Sequence, residues 1–173
     1  MCGIFAYLNY HAPQTMQVIL QTLLTGLRRL EYRGYDSAGL AVTEPKTNKI
    51  MVLREVGNVD KLAALVQQTI DAQQLQSAVF SNHVGIAHTR WATHGEVAVR
   101  NSHPQSSTPE HEFVVIHNGI ITNYAQIRTS LEKEGYSFQS ETDTEVVAKL
   151  ALYFYRHQLG KLNHVPEFRA VIS

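Results

Sequence analysis

The sequence predicts an α+β fold, and two features of its hydrophobic pattern together with its length lead to that class. Short apolar runs typical of buried strands alternate with longer stretches in which apolar residues recur every three or four positions, as in amphipathic helices. The order is strand, helix, strands, helix, strands, helices, which indicates a sheet covered by helices. With 173 residues, the chain is long enough for one domain with a hydrophobic core.

The first half of the chain contains five predicted elements. An apolar run directly after the N-terminus predicts a buried strand, which ends before a loop that contains Pro13. Met16, Ile19 and Leu23 belong to an apolar series at helical spacing. Two strands joined by turn residues follow, and then a second helix. The predicted bounds are strand 3–8, helix 15–30, strands 37–43 and 49–55, and helix 59–70.

The second half is predicted to contain two more buried strands, at 84–89 and 113–117, and two helices. The long polar segment between these strands is predicted to be a functional loop, since long loops inside compact domains often have a function. Asn123 is a suitable N-cap for a helix that ends near Gly135. Thr142 and Glu145 have the spacing of a capping box before the last helix.

The charge balance and the single cysteine restrict the partners and the compartment. Lys and Arg number 15 and Asp and Glu also number 15, so we expect neither nucleic acid nor another strongly charged partner. Cys2 has no second cysteine to pair with, which fits a reducing compartment. The sequence contains neither a signal-peptide pattern nor an apolar run that could span a bilayer. We therefore expect a cytoplasmic protein without a membrane partner.

Cys2 is the first candidate for catalytic chemistry. Removal of Met1 would leave a residue with both a thiol and a free α-amino group. An α-amino group, whose reference pKa is about 7.7–8.0, can accept a proton from a neighbouring thiol near neutral pH. One residue would then supply a nucleophile and its base. The alternative is a small buried cysteine without a catalytic role.

The sequence His117-Asn118-Gly119 at the end of a predicted strand is the second candidate. An asparagine amide and a backbone N–H can together stabilise a developing oxyanion, and each such donor can contribute several kcal/mol in a transition state. Asn-Gly is also the commonest two-residue turn of a β-hairpin. Taken alone, the pair favours such a turn.

Arg90 is a candidate for binding a charged substrate, and Asp143 belongs to a further polar motif at residues 140–145. Arg90 can bind a carboxylate through two parallel hydrogen bonds. It precedes Trp91 and Gly95, a combination that suggests a mobile flap able to exclude water. The structural alternatives are a buried arginine, a core tryptophan and, for Asp143, a carboxylate at a helix N-terminus.

The nine histidines raise the alternative of a metal site. Candidate ligand pairs are His88 with His94 and His103 with His117. No pair has the i, i+4 spacing of a helical metalloprotease motif, and the single cysteine has no cysteine partner. We therefore expect no metal.

The order of these motifs resembles the N-terminal nucleophile, or class II, glutamine amidotransferases. The motifs are CGI (2–4), RGYDSAG (33–39), HTRWATHG (88–95), HNG (117–119) and ETDTE (141–145). Within that superfamily, LEYRGYDS (30–37) and TRWATHG (89–95) look like the glutamine–fructose-6-phosphate aminotransferase (isomerizing) family of hexosamine biosynthesis. MCGIFAYLNY (1–10) and VIHNGIITNY (115–124) look like its eukaryotic members.

The resemblance implies an αββα N-terminal nucleophile fold and a site for L-glutamine. Cys2 would attack the carboxamide, with its own amine as base, to form a glutamyl thioester and release ammonia. Asn118 and Gly119 would form the oxyanion hole. Arg90 would bind the α-carboxylate of glutamine, and Asp143 its α-amino group.

The resemblance also implies a loop that closes over glutamine, to which Trp91, Thr93 and His94 would belong. His103 and Arg33 would line or support the site. Neither a metal nor an organic cofactor is implied.

The main departure from that family is length, since its members continue with more glutaminase strands and two sugar-isomerase domains. We therefore expect residues 2–173 to be a partial glutaminase domain, incomplete at its C-terminus and without isomerase domains. Glutamine hydrolysis should be weak or absent. Val97, Val99 and Asn58 are smaller departures.

Two alternatives remain at this point. One is a catalytically inactive truncated paralogue or fragment, which would act by association with a full-length enzyme. The other is an N-terminal nucleophile hydrolase outside the amidotransferases. Association with an isomerase-bearing chain or a homo-oligomer is compatible with the sequence.

Overall fold

Strands and helices fill most of residues 2–93 and 95–159, the parts of the chain that the computed structural model describes. Up to residue 90 they are β1 (Gly3–Asn9), β2 (Gln14–Thr15), α1 (Met16–Leu30), β3 (Ser37–Thr43), β4 (Ile50–Val56), α2 (Val59–Gln73), β5 (Val79–Phe80) and β6 (His83–Arg90). Beyond residue 90 they are β7 (Gln105–Ser106), β8 (Val114–Val115), α3 (Tyr124–Lys133) and α4 (Glu145–Leu159). Short 3₁₀ turns span Glu31–Arg33 and Val99–Asn101.

The main sheet is antiparallel and has the strand order β1-β6-β3-β4. On one side of β6, Thr89 pairs with Gly3 of β1, and on the other side it pairs with Ala38 of β3. The start of β1, the end of β6 and the start of β3 therefore meet at one end of the sheet. This register brings Cys2 next to the segment that follows Arg90.

Helices α1 and α2 cover one face of the main sheet, with α1 packed against β1 and β6 and α2 against β3 and β4. The apolar stripe of α1 is almost completely buried there. Each fully buried aliphatic side chain stabilises the fold by about 1.5–3 kcal/mol relative to an exposed one. The core shared by the two helices includes Met16, Ile19, Leu20, Leu23, Leu27, Leu40, Leu62 and Val66.

The opposite face of the main sheet is approached by residues 99–106. A side chain at Gly39 would collide with the carbonyl of His103, so glycine permits this segment to lie close to β3. Arg54 of β4 donates to the carbonyls of Ser102 and Pro104, at 3.4 and 3.5 Å. The β7-β8 pair follows, α4 packs on that pair, and α3 packs on α4. The layers are thus ordered helices, sheet, sheet, helices, which confirms the predicted fold class.

Local capping explains where the first two helices begin. The Thr15 hydroxyl accepts a hydrogen bond from the Val18 N–H, so Thr15 is the N-cap of α1 rather than its first residue. The Asn58 side chain accepts from the Lys61 N–H at the start of α2. Asn58, one of the departures from the resembling family, therefore has a local structural role, since asparagine is among the best N-caps.

Of the two cap predictions in the second half, the N-cap position of Asn123 is correct and the capping box is wrong. Asn123 occupies the N-cap position of α3, but its side chain makes no capping hydrogen bond. The capping box of Thr142 and Glu145 does not form, because the Glu145 carboxylate instead accepts from the backbone N–H groups of Gln139 and Ser140. Glu145 also pairs with Lys149 at 3.2 Å, and both side chains are buried.

The predicted strand 113–117 is shorter than expected, since only Val114 and Val115 pair in a sheet and both are half-buried. After Val115 the chain leaves the ladder and places Asn118 against Cys2. No helix within the described ranges is long and apolar enough to cross a membrane.

Candidate active site

A cleft of about 390 Å³ opens at the end of the main sheet where β1 and β3 begin and β6 ends. Its volume lies in the range of about 300–1,000 Å³ found for small-molecule sites. Nine of the ten site residues expected from the sequence line it: Cys2, Arg33, Arg90, Trp91, Thr93, His103, Asn118, Gly119 and Asp143. The tenth, His94, lies outside the described residues. The cleft is also lined by His117, Thr142 and Thr144, for which the sequence predicted no role in binding glutamine.

The Cys2 thiol lies at the mouth of this cleft and is half-buried. Its Sγ accepts a hydrogen bond from the backbone N–H of Trp91 at 3.2 Å. A backbone donor at this distance stabilises negative charge on sulfur. The Cys2 carbonyl accepts from the Asn118 side-chain Nδ2 at 2.9 Å. Residues far apart in the sequence therefore meet around Cys2.

Asn118 and Gly119 do not form a hairpin turn. Residues 116–123, all of which the structure describes, form no strand that returns along β8, and the chain proceeds into α3. Gly119 has φ +142°, a backbone conformation that L side chains rarely adopt, and a Cβ there would lie 3.0 Å from the His117 Nε2. The Asn118 Oδ1 lies 2.9 Å from the Nε2 of His88. The structure thus rules out the turn alternative and places both residues at the cleft.

Arg90 lines the cleft, although the residue is only 4% exposed to solvent. Its guanidinium donates to the carbonyls of Gly95 at 3.2 Å and Glu96 at 3.1 Å. Burial lowers the pKa of Arg90, but a guanidinium stays protonated in proteins. Arg90 therefore both holds the loop after β6 and faces the cleft.

Trp91 is not a core residue, in contrast to the structural alternative considered for it. It is 44% exposed, and its ring lies 5.7 Å from the ring of Tyr35. Its backbone carries the N–H that reaches Cys2. The side chain is thus available at the rim of the cleft.

The RGYDSAG motif anchors the start of the loop after β6. The Asp36 carboxylate accepts from the Ala92 N–H at 2.8 Å, and the Asp36 N–H donates to the Arg90 carbonyl at 3.1 Å. A Cβ on Gly34 would collide with the backbone of Arg90 and Trp91. This support explains why the motif accompanies the cleft, although the sequence alone did not show the role of Asp36.

A second anchor holds the other end of this loop. The Asn101 amide donates to the Glu96 carbonyl at 3.1 Å, and its Oδ1 accepts from the Glu141 N–H at 2.9 Å. The Glu141 carboxylate accepts from the Glu96 N–H at 3.1 Å and pairs with Arg100 at 2.9 Å. Hydrogen bonds at both ends therefore fix the segment that bears Trp91 and Thr93.

Asp143 lines the cleft and contacts the segment that leads into α3. Its Oδ2 accepts from the Ile121 N–H at 2.7 Å, and its Oδ1 accepts from the Thr144 hydroxyl at 3.3 Å. These contacts orient the carboxylate two residues before the start of α4, so its position also agrees with the helix-terminus alternative. Asp143 and Arg90 give the cleft one group of each charge.

His88 and His103 form a buried pair with ring centroids 4.4 Å apart, and His103 also lines the cleft. Burial lowers the pKa of His88 from the ordinary 6.5 to about 4 and that of His103 to about 2, so both rings are neutral at pH 7. Neither ring nitrogen of His103 has a hydrogen-bond partner among the described residues. Within those residues, no three or more His, Cys, Asp or Glu side chains cluster in a way that could hold a metal ion.

We expect acid to destabilise the chain through this histidine pair. Because the unfolded chain binds protons below about pH 6.5 and the folded pair does not, the stability present at neutral pH is lost as the pH falls. Between pH 7 and pH 5, each histidine should lower the unfolding free energy by about 2 kcal/mol. Urea denaturation at both pH values measures this loss, and His103→Phe should reduce it by about half. An equal loss in wild type and His103→Phe would contradict the burial of a neutral His103.

Comparison with known proteins gives one family match. A family model for the glutamine amidotransferase domain matches residues 57–165. This range contains all the cleft residues that follow β4, including Arg90, Asn118 and Asp143.

The chain is also similar to curated proteins named glutamine–fructose-6-phosphate aminotransferase [isomerizing]. Enzyme 1 of Arabidopsis thaliana is 53% identical over 157 residues, which cover 90% of this chain and 23% of that protein. Enzyme 1 of Rattus norvegicus is 53% identical over 163 residues, which cover 90% of this chain and 24% of that protein. The protein of Encephalitozoon cuniculi is 44% identical over 173 residues, which cover 100% of this chain and 24% of that protein. The chain therefore spans about a quarter of the length of these relatives.

Solved structures of similar fold include the glutamine phosphoribosylpyrophosphate amidotransferase of B. subtilis. Its TM-score is 0.64 at 23% identity, and the match covers 98% of this chain and 31% of that one. A structure described as the allosteric regulatory enzyme of purine biosynthesis has a TM-score of 0.65 at the same identity and coverage. These similarities confirm the fold.

Proposed function

Because this chain belongs to the glutamine amidotransferase family, we propose that its cleft binds L-glutamine and that Cys2 releases ammonia from the side-chain amide. The observation that carries the proposal is the convergence of Cys2, Arg90, Asn118 and Asp143 on a single cleft. These residues supply a nucleophile, a cation, an amide donor and an anion. A free amino acid with a reactive amide has a complementary group for each of them.

Arg90 and Asp143 hold the amino-acid end of glutamine in this proposal. The guanidinium binds the α-carboxylate, and the carboxylate of Asp143 binds the α-ammonium group. Trp91, Thr93 and His94 belong to the loop that closes over the substrate. His103 and Arg33 line the site, and Arg33 lies within 3.5 Å of the Cys2 carbonyl. No metal or organic cofactor takes part in the proposed reaction.

The reaction begins once Met1 has been removed. The free α-amino group of Cys2 takes the thiol proton, and the thiolate attacks the carboxamide carbon of glutamine. The oxyanion accepts hydrogen bonds from Asn118 Nδ2 and from the Gly119 N–H, which donates to no acceptor within the described residues. The proton held by the amine passes to the leaving nitrogen as the C–N bond breaks. Ammonia leaves, and water then hydrolyses the glutamyl thioester to glutamate.

The names of the relatives suggest where the ammonia goes. We propose that residues 2–173 perform the glutamine-hydrolysing part of a glutamine–fructose-6-phosphate aminotransferase reaction, in the cytoplasm, for hexosamine and UDP-N-acetylglucosamine synthesis. In this proposal, residues 2–173 do not bind or isomerise the sugar, and both steps take place on isomerase domains outside this segment, such as those of an associated chain.

Separate assays of the two products test this function. The purified chain, shown by intact mass to lack Met1, is incubated with glutamine and fructose 6-phosphate. We expect slow formation of glutamate and no glucosamine 6-phosphate. Formation of sugar product by residues 2–173 alone would contradict the proposal that sugar binding takes place outside this segment. A folded chain that lacks Met1 but forms no glutamate would instead favour an inactive paralogue.

A further inference from the structure

We infer that His88 is a positioning residue, whose Nε2–H holds the Asn118 side chain with its amide nitrogen directed toward Cys2 and the cleft. His88 itself contacts no proposed substrate atom. The inference rests on the proposed function, because the orientation of Asn118 matters for catalysis only if an oxyanion forms beside Cys2. The contact itself can be tested whether or not the chain hydrolyses glutamine.

The Asn118 amide is held between two partners. Its Nδ2 donates to the Cys2 carbonyl at 2.9 Å, and its Oδ1 lies 2.9 Å from the Nε2 of His88. Asn118 is exposed in the cleft, whereas His88 is 1% exposed. An exposed amide can rotate, so its orientation depends on these two hydrogen bonds. The Nδ2 bears two hydrogens, and the one not bound to Cys2 is available to an oxyanion.

The tautomer of His88 decides which orientation of Asn118 is favoured. An amide oxygen accepts only, so the contact is favourable when Nε2 carries the ring proton. With the proton on Nδ1, the lone pair of the His88 Nε2 would face a lone pair of the Asn118 Oδ1. Rotation of the amide by 180° would then replace this repulsion with a hydrogen bond. The flipped amide would present its oxygen to the Cys2 carbonyl and to the developing negative charge. The Nε2–H tautomer therefore keeps the donor where the reaction needs it.

The surroundings of His88 keep this ring fixed and uncharged. The ring packs on that of His103 at a centroid distance of 4.4 Å and an angle of 35°. Burial lowers the pKa of His88 to about 4, so the ring stays neutral across the range in which a thiolate mechanism operates. A neutral donor adds no positive charge beside the proposed base at Cys2.

Two amide substitutions separate a hydrogen-bonding role from a packing role. The nitrogen of His88→Gln can reach the place of Nε2, whereas that of His88→Asn reaches only the place of Nδ1. We expect His88→Asn to lower kcat for glutamine hydrolysis about 100-fold with KM changed less than about threefold, as for the loss of an oxyanion donor. His88→Gln should retain kcat within about tenfold. Equal losses in both variants, or a parallel rise in KM, would overturn the inference.

A double variant and a control variant far from the cleft test whether His88 acts through Asn118. If His88 acts through Asn118, His88→Asn added to Asn118→Ala should slow the reaction no further than Asn118→Ala alone. A further loss of kcat in the double variant would show that His88 does not act through Asn118. His83→Gln alters another buried histidine, at the opposite end of β6 from the cleft, and should leave kcat unchanged.

Ring nitrogen NMR tests the contact independently of turnover. In ¹⁵N-labelled chain at pH 7, we expect His88 to show a protonated Nε2, with its signal identified by its loss in His88→Gln. Asn118→Ala should weaken this tautomer preference. A protonated Nδ1 in wild type would overturn the inference. If no glutamate forms but the Nε2–H tautomer is present, the proposed function fails while the positioning contact stands.

Discussion

Replacement of Cys2 by alanine is expected to abolish glutamine hydrolysis and leave the fold intact. The substitution removes the nucleophile, and loss of a nucleophile typically lowers kcat by at least about 10⁴-fold. Cys2 precedes β1 and its thiol receives a single backbone hydrogen bond, from Trp91, so unfolding free energy should change by less than about 1 kcal/mol. Glutamate release and urea denaturation measure the two effects.

Cys2→Ser is the matched control for this variant. Serine and alanine are both small enough to allow removal of Met1, so the α-amino group is retained in each. Serine keeps a weaker nucleophile at the same position and should retain a trace of activity above that of alanine. Activity in Cys2→Ala within tenfold of wild type would show that another group performs the reaction.

The second largest effect on activity is expected for Arg90→Ala, which should raise the KM for glutamine about 100-fold. The variant loses a charge-assisted contact to the α-carboxylate, worth about 2–3 kcal/mol. It also leaves the carbonyls of Gly95 and Glu96 without their guanidinium donor, so the unfolding free energy should fall by about 1–3 kcal/mol. Steady-state kinetics at varied glutamine and urea denaturation separate the two losses.

Arg100→Ala provides a matched control for Arg90→Ala. Arg100 pairs with Glu96 and Glu141 on the outside of the same loop, and these side chains are 46–61% exposed. Exposed ion pairs contribute about 0–1 kcal/mol, so KM should rise by less than about fivefold. A KM for Arg90→Ala no higher than that for Arg100→Ala would assign Arg90 a loop-holding role alone.

Local patterns in the sequence predicted the elements that build the main sheet and its two covering helices. The apolar series through Ile19 and Leu23 and the run from Ser37 to Thr43 give clear helix and strand periods, and both elements form close to the predicted bounds. The two-residue strands β2, β5 and β7 were not predicted, because two residues are too few to show a hydrophobic alternation. The strand 113–117 was overestimated because tertiary contacts of Asn118 with Cys2 and His88 override its apolar preference.

The same distinction applies to the cleft. Cys2, Arg90, Asn118 and Asp143 could be proposed from residue type and motif order, and the fold places them together. The supporting residues could not, since each acts through a partner distant in sequence. The side chains of Asp36 and Asn101 accept hydrogen bonds from the backbone N–H groups of residues 92 and 141. The ring of His88 contacts the side-chain oxygen of Asn118. Sequence spacing alone does not reveal which of many polar side chains will meet.

Covalent labelling of Cys2 by a glutamine-mimicking electrophile tests the central claim most directly. The chain without Met1 is treated with 6-diazo-5-oxo-norleucine, and its peptides are mapped by mass spectrometry. We predict an adduct on the Cys2 peptide alone, formed more slowly in the presence of glutamine and in Arg90→Ala. A folded chain that lacks Met1 and yet forms no adduct, or equal labelling of wild type and Arg90→Ala, would contradict a glutamine site built around Cys2.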